Sequence, residues 1–534
     1  MSFFLILFLI FLMAGAGITA YMAHRGHKYS NLIGAAIILG ILILWVLAGR
    51  QLPLQLESKV NPAILSPPSW NLYVDKVTWQ LTLITIVLAA GVILALDVWN
   101  RVIGPINGSP RVKAQTTPLI FLLLAATFLA LWSNSLITLI QSWALFIITW
   151  SLFYGLTSTD AGKWRTILFR SSALSISLIF LWLANASNGG SAGSLSDIQN
   201  WTRESAYWAL MASSVFLGLI FLHWWRPLES SLPAAADSLI HLLPTICGGW
   251  LFIQISAGMG HDFTSRLIIT ALSLIGLLTG ATLAWANAKR PRRLPPYLTL
   301  SFVNIVALTA VWVDLEAAAA ELRILLLALG GLFLFSSWSE HSSRWERIIS
   351  TIFVIALAGL PLTIGFNGRV SLYRTWLEGG QLLLALVVSL ILVAIIGAAL
   401  LIILRRDSSK TGVSPQNFGD LEYSALLLLL ALGLIGFNGI EQFPKNVVAL
   451  LFILIPALGG YLFCRQSVQA YELQQTVGRA LHFDLPRRQI YEYLSEILSN
   501  IESIIREGAA ILEGEGGMLW LLIIVIILWI ARIS

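Results

Sequence analysis

Charged residues are scarce in this sequence: they make up 11% of 534 residues, whereas hydrophobic residues make up 57%. The mean hydropathy is +0.82. A water-soluble domain cannot bury that much apolar surface. Inside lipid, only helices and closed barrels satisfy every backbone polar group. The apolar runs are about 18–22 residues long, which matches membrane helices and not the alternating segments of about ten residues found in barrel strands. The sequence therefore predicts an all-α polytopic membrane protein.

Cysteine is also rare, and both cysteines, Cys247 and Cys464, lie inside apolar runs without ligand-like neighbours. This argues against a disulfide framework, a zinc site and cysteine-ligated iron–sulfur centres. The sequence also lacks a glycine-rich nucleotide loop and a persuasive pair of haem-type histidines. We therefore expect no cofactor and no metal in this chain, and we do not expect a stand-alone enzyme.

The hydropathy pattern predicts about sixteen transmembrane helices. Their predicted limits are 2–22, 31–49, 77–96, 116–132, 135–156, 167–185, 205–224, 236–257, 265–287, 297–313, 319–337, 348–366, 381–404, 422–438, 446–464 and 517–532. Loops after odd-numbered helices are rich in basic residues, as in Lys289, Arg290, Arg292 and Arg293, whereas the even-numbered loops are poor, with Arg323 alone in one of them. The positive-inside rule then places the odd loops in the cytoplasm. The net charge of +6 reflects this topology, and no nucleic-acid partner is expected.

The segment between the last two predicted helices, residues 466–516, is polar and has a helical period in its second half. Ile497, Ile501 and Ile504 belong to one apolar stripe, and Glu496 lies on the opposite face. This pattern predicts an amphipathic helix that runs parallel to the membrane on the cytoplasmic side. Two interpretations remain open: a helix on the membrane surface, or a lateral helix that clamps a neighbouring subunit.

Four sequence blocks occur in a characteristic order. The longest block runs from Phe216 to Leu251. Its pattern residues are His223, Trp225, Pro227, Pro233, Leu239, His241 and Gly249. The others are NLYVDKVTW at 71–79, PYLTLSFVN at 296–304 and LAGLPLTIGFNGR at 357–369. Together they resemble the antiporter-like membrane subunits of complex I (NADH:quinone oxidoreductase) and of multisubunit cation/proton antiporters. The resemblance covers residues 70 to 370.

The resemblance implies an organisation in five parts. These are helices one to three (1–115), an antiporter-like core of helices four to thirteen (116–404), helices fourteen and fifteen (405–465), the amphipathic lateral segment (466–516) and a C-terminal membrane helix (517–534). It also implies two interrupted helices, with breaks near His223–Pro227 and Pro361–Gly365, because proline and glycine let the chain leave a helix. The expected partners are the lipid bilayer and other membrane subunits of a large complex, whose redox centres lie in those other subunits. The expected location is the bacterial cytoplasmic membrane or an equivalent energy-coupling membrane.

The resemblance further implies a coupling pair on helices five and seven, a glutamate and a lysine whose separation shifts the pKa of the lysine. In this sequence Ala144 stands at the acid position and Phe216 at the lysine position. Loss of one partner alone would leave an unpaired buried charge, whereas loss of both removes that penalty. The joint replacement predicts a structural or weakly conducting descendant of a pump.

Other polar residues could still carry a proton, namely His223, Asp237 and His241. Asp237 precedes His241 by four residues, so the two could form an acid–imidazole relay on one helix face. The alternatives are a satisfied core histidine and an aspartate that caps the helix. His223 could instead belong to an interfacial belt of aromatic residues with a snorkelling arginine.

Arg369 stands where the resemblance implies a lysine on the second interrupted helix. An arginine stays charged at physiological pH, so it can bind an anion, pair with a carboxylate or block a cation path, but it cannot release a proton. Asp314, Glu316 and Glu321 flank a short alanine run and are expected in a solvated loop.

Two functions from different classes follow from these residues. One is a membrane-arm subunit of a complex I-like assembly with a degenerate proton path, which serves as a non-catalytic scaffold. The alternative is an ion-translocating subunit of a multisubunit cation/proton antiporter or of a bicarbonate-uptake complex. The missing pair favours the scaffold, whereas the retained histidines and the cation at residue 369 favour conduction.

Overall fold

The computed structural model describes most of the chain up to residue 466. The described ranges are 2–25, 30–58, 70–102, 110–157, 163–188, 194–219, 234–259, 263–288, 294–338, 344–404, 433 and 447–466. The predicted helix fourteen, the lateral amphipathic helix and the C-terminal membrane helix lie outside these ranges, as do His223 and Pro227.

Helices dominate the described ranges. The first eight are α1 (Ser2–His24), α2 (Ser30–Ala48), α3 (Lys76–Val102), α4 (Pro110–Trp132), α5 (Leu136–Thr157), α6 (Lys163–Ser187), α7 (Arg203–Leu217) and α8 (Ala234–Gly258). The others are α9 (Phe263–Ala286), α10 (Leu294–Trp312), α11 (Leu315–Trp338), α12 (Arg344–Ala358), α13 (Phe366–Glu378), α14 (Leu382–Leu404) and α15 (Val447–Gln466). Short 3₁₀ turns cover Gly49–Gln51 and Leu195–Asn200.

Many of the described helices have the length and apolar composition of membrane-spanning helices. Within the described residues, nine helices are long and apolar enough to cross a bilayer, and Thr116–Trp132 and Val448–Leu462 are shorter apolar helices. Since a bilayer core needs about 20 apolar residues of helix, the chain is an integral multi-pass membrane protein. This confirms the all-α membrane class predicted from composition.

A two-stranded hairpin precedes α3 and was not expected from the sequence. Strand β1 (Leu54–Ser58) pairs antiparallel with β2 (Trp70–Val74), with Leu56 opposite Leu72. Asp75 follows β2 and ends it by capping α3, because its Oδ1 accepts hydrogen bonds from the backbone N–H and the hydroxyl of Thr78, both at 2.7 Å. Strand β2 alternates between buried and less buried positions, which is the period of a half-buried strand.

Tryptophan side chains fix the first three helices. Trp45 on α2 and Trp79 on α3 exchange hydrogen bonds, since each indole N–H donates to the other's backbone carbonyl at 3.0 and 2.9 Å. Trp45 also stacks on Trp132 of α4 with ring centroids 5.1 Å apart, and Phe8 of α1 packs against both rings. Aromatic packing thus joins α1, α2, α3 and α4 on the amino-terminal side of the site.

Helix α12 ends at Ala358, shortly before the predicted break at Pro361–Gly365, and α13 begins at Phe366. Gly359 has φ 72°, its N–H donates to Ala356 O at 2.9 Å, and the N–H of Leu360 donates to Ile355 O at 3.3 Å. This pair of hydrogen bonds is a Schellman ending, which needs the left-handed conformation that glycine adopts at little cost. Pro361 follows and cannot continue a helix.

Helix α7 ends in the same way, at Leu217, and is shorter than the predicted helix 205–224. Gly218 has φ 73°; its N–H donates to Val215 O at 3.1 Å, and the N–H of Leu219 donates to Ser214 O at 3.1 Å. Phe216 therefore lies in the last turn of a helix of 15 residues. The predicted break at 223–227 falls in the range that is not described.

Candidate functional site

The first part of the candidate site is the contact between α5 and the end of α7. Phe216 is fully buried and stacks on the equally buried Trp143, with ring centroids 3.8 Å apart and an interplanar angle of 23°. Phe146 adds a second ring at 5.7 Å. The residues of α5 that face Phe216 are therefore Trp143 and Phe146, whereas Ala144 is partly exposed. The position that the sequence assigns to a lost acid lies beside this stack.

Helix α8 presses closely on the same place. A Cβ atom added to Gly248 would lie 2.6 Å from the Cβ of Phe216, and one added to Gly249 would lie 3.3 Å from Leu217 Cδ1. The two glycines let the end of α7 approach the backbone of α8. Since a helix C-terminus favours a cation, a lysine at position 216 would be electrostatically supported there. The chain instead places a neutral ring at that helix end.

The second part is the Asp237–His241 pair on α8. His241 is fully buried and Asp237 is 6% exposed. His241 Nε2 lies 3.7 Å from Asp237 Oδ1, which is an electrostatic distance rather than a direct hydrogen bond. The imidazole also stacks on Phe333 of α11, with centroids 5.7 Å apart. The structure therefore brings together the two residues that the sequence groups as a relay candidate, and it backs the imidazole with an apolar ring.

A proline shapes the same helix one turn later. Pro244 lies inside α8, and because it has no N–H it cannot donate to the carbonyl of Ile240. The indole N–H of Trp150 on α5 donates to this Ile240 oxygen at 3.2 Å instead. The side chain of α5 thus replaces a helix hydrogen bond of α8 and fixes the two helices next to the Asp237–His241 pair.

The third part is a buried ion pair between α11 and α13. Arg369 Nε lies 2.6 Å from Glu321 Oε1, and the two side chains are each 2% exposed. The guanidinium also lies 5.8 Å from the ring centroid of Phe302 on α10. At this distance and burial, the arginine is held by a charge-assisted hydrogen bond. Of the roles considered for Arg369, pairing with a carboxylate is the one observed.

The prediction that Glu321 lies in a solvated loop is wrong. Asp314 and Glu316 are exposed, and Asp314 Oδ1 caps α11 by accepting from the N–H of Ala317 at 2.7 Å. The alanine run that follows is the first part of α11, because alanine is the best helix former. Glu321 therefore continues the helix and enters the interior. The predicted helix 319–337 already contains Glu321, and the run of helix formers before it extends this helix back to Leu315.

Two glycines make room for the ion pair. A Cβ atom at Gly359 would lie 2.6 Å from Arg369 Cγ. One at Gly368 would lie 3.1 Å from Ala317 O and 3.5 Å from Glu321 Oε1. Gly359, which ends α12, thus also leaves the space that the Arg369 side chain occupies. The backbone break and the buried charge pair form one local structure.

Arg323 was predicted as a loop cation but lies on α11, two residues after Glu321. Its guanidinium donates to the side-chain oxygen of Gln80 on α3 and, at 3.2 Å, to Ala319 O. This contact joins α3 to α11. Within the described part of the chain, no group of three or more His, Cys, Asp or Glu residues is placed to hold a metal ion.

Comparisons with known proteins relate the chain to others. No protein-family model matches the chain. The chain is 24% identical over 205 residues to NADH-quinone oxidoreductase subunit N of Acidithiobacillus ferrooxidans, an alignment that covers 34% of this chain and 42% of the relative. It is 22% identical over 255 residues to the subunit N of Chlorobium chlorochromatii, covering 40% of this chain and 49% of the relative.

The fold has a solved counterpart. A chain in the structure of the Mrp complex from Dietzia sp. DQ12-45-1b superposes with a TM-score of 0.76 at 15% sequence identity, covering 99% of this chain and 62% of that one. In the two sequence alignments described above, the chain covers less than half of each curated relative's length. The resemblance predicted from the sequence is confirmed as a distant similarity: the chain is similar to two NADH-quinone oxidoreductase subunit N sequences, and it shares its fold with a chain of the Mrp complex.

Proposed function

We propose that this chain is a membrane-arm subunit of a complex I-like energy-transducing assembly and that it acts as a scaffold with little or no proton conduction. The observation that carries the proposal is the stack of Trp143 on Phe216 at 3.8 Å between centroids. Two aromatic rings fill the contact where a conducting subunit needs groups that gain and lose charge. Neither ring titrates at physiological pH, so this contact supplies no switch.

The Arg369–Glu321 pair supports the same proposal. A conducting path needs a group that releases its proton, and an arginine does not release one at any physiological pH. Its contact with Glu321 at 2.6 Å also occupies the carboxylate. Moving either charge away would leave the other buried without a partner, which costs about 3–5 kcal/mol. We propose that this pair is a fixed structural element at the interrupted helix.

The Asp237–His241 pair is the strongest argument for residual conduction, and it therefore supplies the test. The parent assembly is purified in mild detergent through a tag on this chain, and the co-purifying subunits are identified. It is then reconstituted into vesicles, and protons translocated per catalytic turnover are measured for wild type, Asp237→Asn and His241→Ala. The matched control is Ser238→Ala, since Ser238 is fully buried on the same helix but does not titrate.

A scaffold predicts an unchanged proton ratio in both variants, with a loss of stability in His241→Ala. If assembly and turnover stay intact while the proton ratio falls in either variant and not in Ser238→Ala, the scaffold proposal is wrong. In that case the path runs through residues other than the helix five and helix seven pair. Recovery of the chain without other membrane subunits would contradict membership of a larger assembly.

The superposition on a chain of the Mrp complex favours the alternative, an ion-translocating subunit of a cation/proton antiporter or bicarbonate-uptake assembly. The two proposals differ in cation dependence. Everted vesicles that contain the tagged assembly are given a pH gradient, and sodium or potassium is then added. The scaffold predicts that the gradient decays equally with and without this chain's Asp237→Asn change. A cation-driven collapse that this variant abolishes would establish the alternative.

A further inference from the structure

Two arginines are buried among the described residues, Arg170 on α6 and Arg369 on α13, with 9% and 1% exposure. Arg369 has a carboxylate at 2.6 Å. Arg170 has the ring of Tyr154 on α5, 5.0 Å from its guanidinium carbon. Its Nη1 atom is buried and has no hydrogen-bond partner within the described part of the chain. The two cations are therefore satisfied very differently.

The face of an aromatic ring does not by itself offset the free-energy cost of burying a guanidinium. The face of an aromatic ring attracts a cation, but it accepts no conventional hydrogen bond from the five guanidinium N–H groups. A buried ion costs much more than one such contact recovers unless an anion is bound to it. Inside a membrane protein, an ionisable group of this kind marks a binding or transport site by default. The chemistry of the site calls for an anionic oxygen acceptor.

The position of Arg170 indicates which anion. Helix α6 begins at Lys163, so Arg170 lies about 10 Å along its axis at 1.5 Å per residue. Ile167, Leu174 and Leu181 belong to the same buried stripe of α6, and the Arg170 guanidinium lies over the Tyr154 ring of α5, so Arg170 lies at the interface of α5 and α6. For a membrane helix that begins at Lys163, we expect the first turns to lie at the depth of the lipid headgroups.

The Tyr154 ring that contacts Arg170 is held in place by its own neighbours. Tyr154 is 1% exposed and stacks on Trp150, with centroids 6.0 Å apart and an angle of 8° between the rings. Trp150 is fixed in turn by its hydrogen bond to Ile240 O at 3.2 Å. The ring that holds the guanidinium is therefore anchored on α8, which leaves the N–H groups preorganised for a ligand.

We propose that Arg170 binds a phosphate group at the cytoplasmic end of the interface between α5 and α6. A planar guanidinium matches phosphate oxygens in a bidentate fork, and basic clefts between membrane helices on this side bind phosphate-bearing headgroups. The phosphate can belong to an anionic glycerophospholipid or be free in solution. The lipid source is expected, because Leu168, Ile176 and Ile179 expose the outer face of α6 to acyl chains.

The test uses the full-length chain, delipidated in detergent and followed by native mass spectrometry and thermal unfolding. The probes are phosphatidylglycerol, the diacylglycerol with the same acyl chains, and inorganic phosphate. The variants are Arg170→Gln, Arg170→Lys and the control Arg374→Gln, whose arginine is exposed and paired with Glu378. For wild type we expect one tightly held phosphatidylglycerol that diacylglycerol does not replace. Arg170→Gln should weaken it at least about tenfold, as expected for a charge-assisted hydrogen bond.

Arg170→Lys keeps the charge without the fork and should fall between wild type and Arg170→Gln, so it decides the question if the glutamine variant fails to fold. Stabilisation by inorganic phosphate that depends on Arg170, without a held lipid, assigns the site to a free anion and keeps the phosphate proposal. The proposal is overturned if neither phosphate probe depends on Arg170, if diacylglycerol binds as tightly as phosphatidylglycerol, or if Arg374→Gln loses the lipid equally.

Discussion

The ends of α7 and α12 use the same backbone device with opposite side-chain chemistry. Each helix ends in a Schellman motif on a glycine with positive φ, at Gly218 and Gly359. Beside the first, Phe216 lies against Trp143 and no charge is present in that contact. Beside the second, Arg369 lies against Glu321 at 2.6 Å. The comparison shows that the same backbone ending can hold a buried charge together with its counter-charge, as at α12, or a neutral aromatic contact, as at α7.

The largest expected effect is at the end of α12, where removing the charge of Glu321 should destabilise the protein. The end of α7 has no such charge to lose. Glu321→Ala leaves Arg369 buried without its carboxylate and should destabilise the fold by about 3–5 kcal/mol. The measurement is thermal unfolding of the full chain in detergent. The control is Glu378→Ala, because the Arg374–Glu378 contact is also 2.6 Å but its side chains are 57% and 64% exposed. This exposed pair at i,i+4 spacing is worth about 0.3–0.5 kcal/mol.

Removing both charges should reverse most of that loss. The double variant Glu321→Leu with Arg369→Met replaces the buried ion pair by apolar side chains, a change that is often neutral or stabilising. Unfolding temperatures near wild type are expected. A double variant as unstable as Glu321→Ala would show that the pair contributes more than mutual neutralisation, and would remove the contrast with the aromatic end.

The glycine at the break should come next in magnitude. Gly359→Ala places a Cβ in a left-handed conformation, which costs roughly 1–2 kcal/mol, and it also puts that atom 2.6 Å from Arg369 Cγ. We expect a loss of about 2 kcal/mol or more in unfolding free energy. Gly40→Ala is the matched control, since a Cβ there meets no atom within 4 Å and alanine favours helix. Equal effects at the two sites would contradict the proposed seat for Arg369.

The aromatic end should respond more weakly to a conservative change. Phe216→Leu keeps an apolar side chain but loses the stack on Trp143, which is worth about 0.5–1.5 kcal/mol. The comparison is Phe180→Leu, whose ring stacks at 5.7 Å on the partly exposed Trp208. Unfolding measured for both variants should show the larger loss at Phe216. The reverse order would mean that the contact between α5 and α7 is not closely packed.

The smallest expected effect concerns the proline in α8. Trp150→Phe removes the donor to Ile240 O, at a cost of about 1 kcal/mol. Pro244→Ala supplies a backbone N–H to the same oxygen, so Trp150→Phe should cost less in that background. A double-mutant cycle on unfolding free energies measures this coupling. Additive effects would show that the indole hydrogen bond does not substitute for the missing helix bond.

Much of the architecture follows from local composition, and for that reason it could be predicted. Apolar runs of helical length predict membrane helices because lipid leaves the backbone no other way to pair its polar groups. The sequence from Pro361 to Gly365 predicts a break because the conformational limits of glycine and proline are local properties, and α12 ends shortly before it, at Ala358. The i,i+4 spacing of Asp237 and His241 predicts their proximity on one helix face.

Contacts between distant segments could not be predicted in this way. The hairpin of β1 and β2 pairs Leu54 with Val74 across twenty residues, and its strands are too short to give a clear periodic pattern. Glu321 meets Arg369 across 48 residues, so a single sequence shows two charges and not a pair. The orientation of α5, which turns Trp143 and not Ala144 toward Phe216, depends on how α7 and α8 pack against it.

The sequence by itself determined that this chain is a helical membrane protein similar to antiporter-like subunits. Hydropathy and short motifs are properties of consecutive residues, so a single sequence shows them. The tertiary structure alone decided which charges are neutralised. Arg369 and Arg170 are both buried arginines, yet one pairs with a carboxylate and the other lies over a tyrosine ring. The free energy of a buried charge depends on the partner within a few ångströms, and folding chooses that partner.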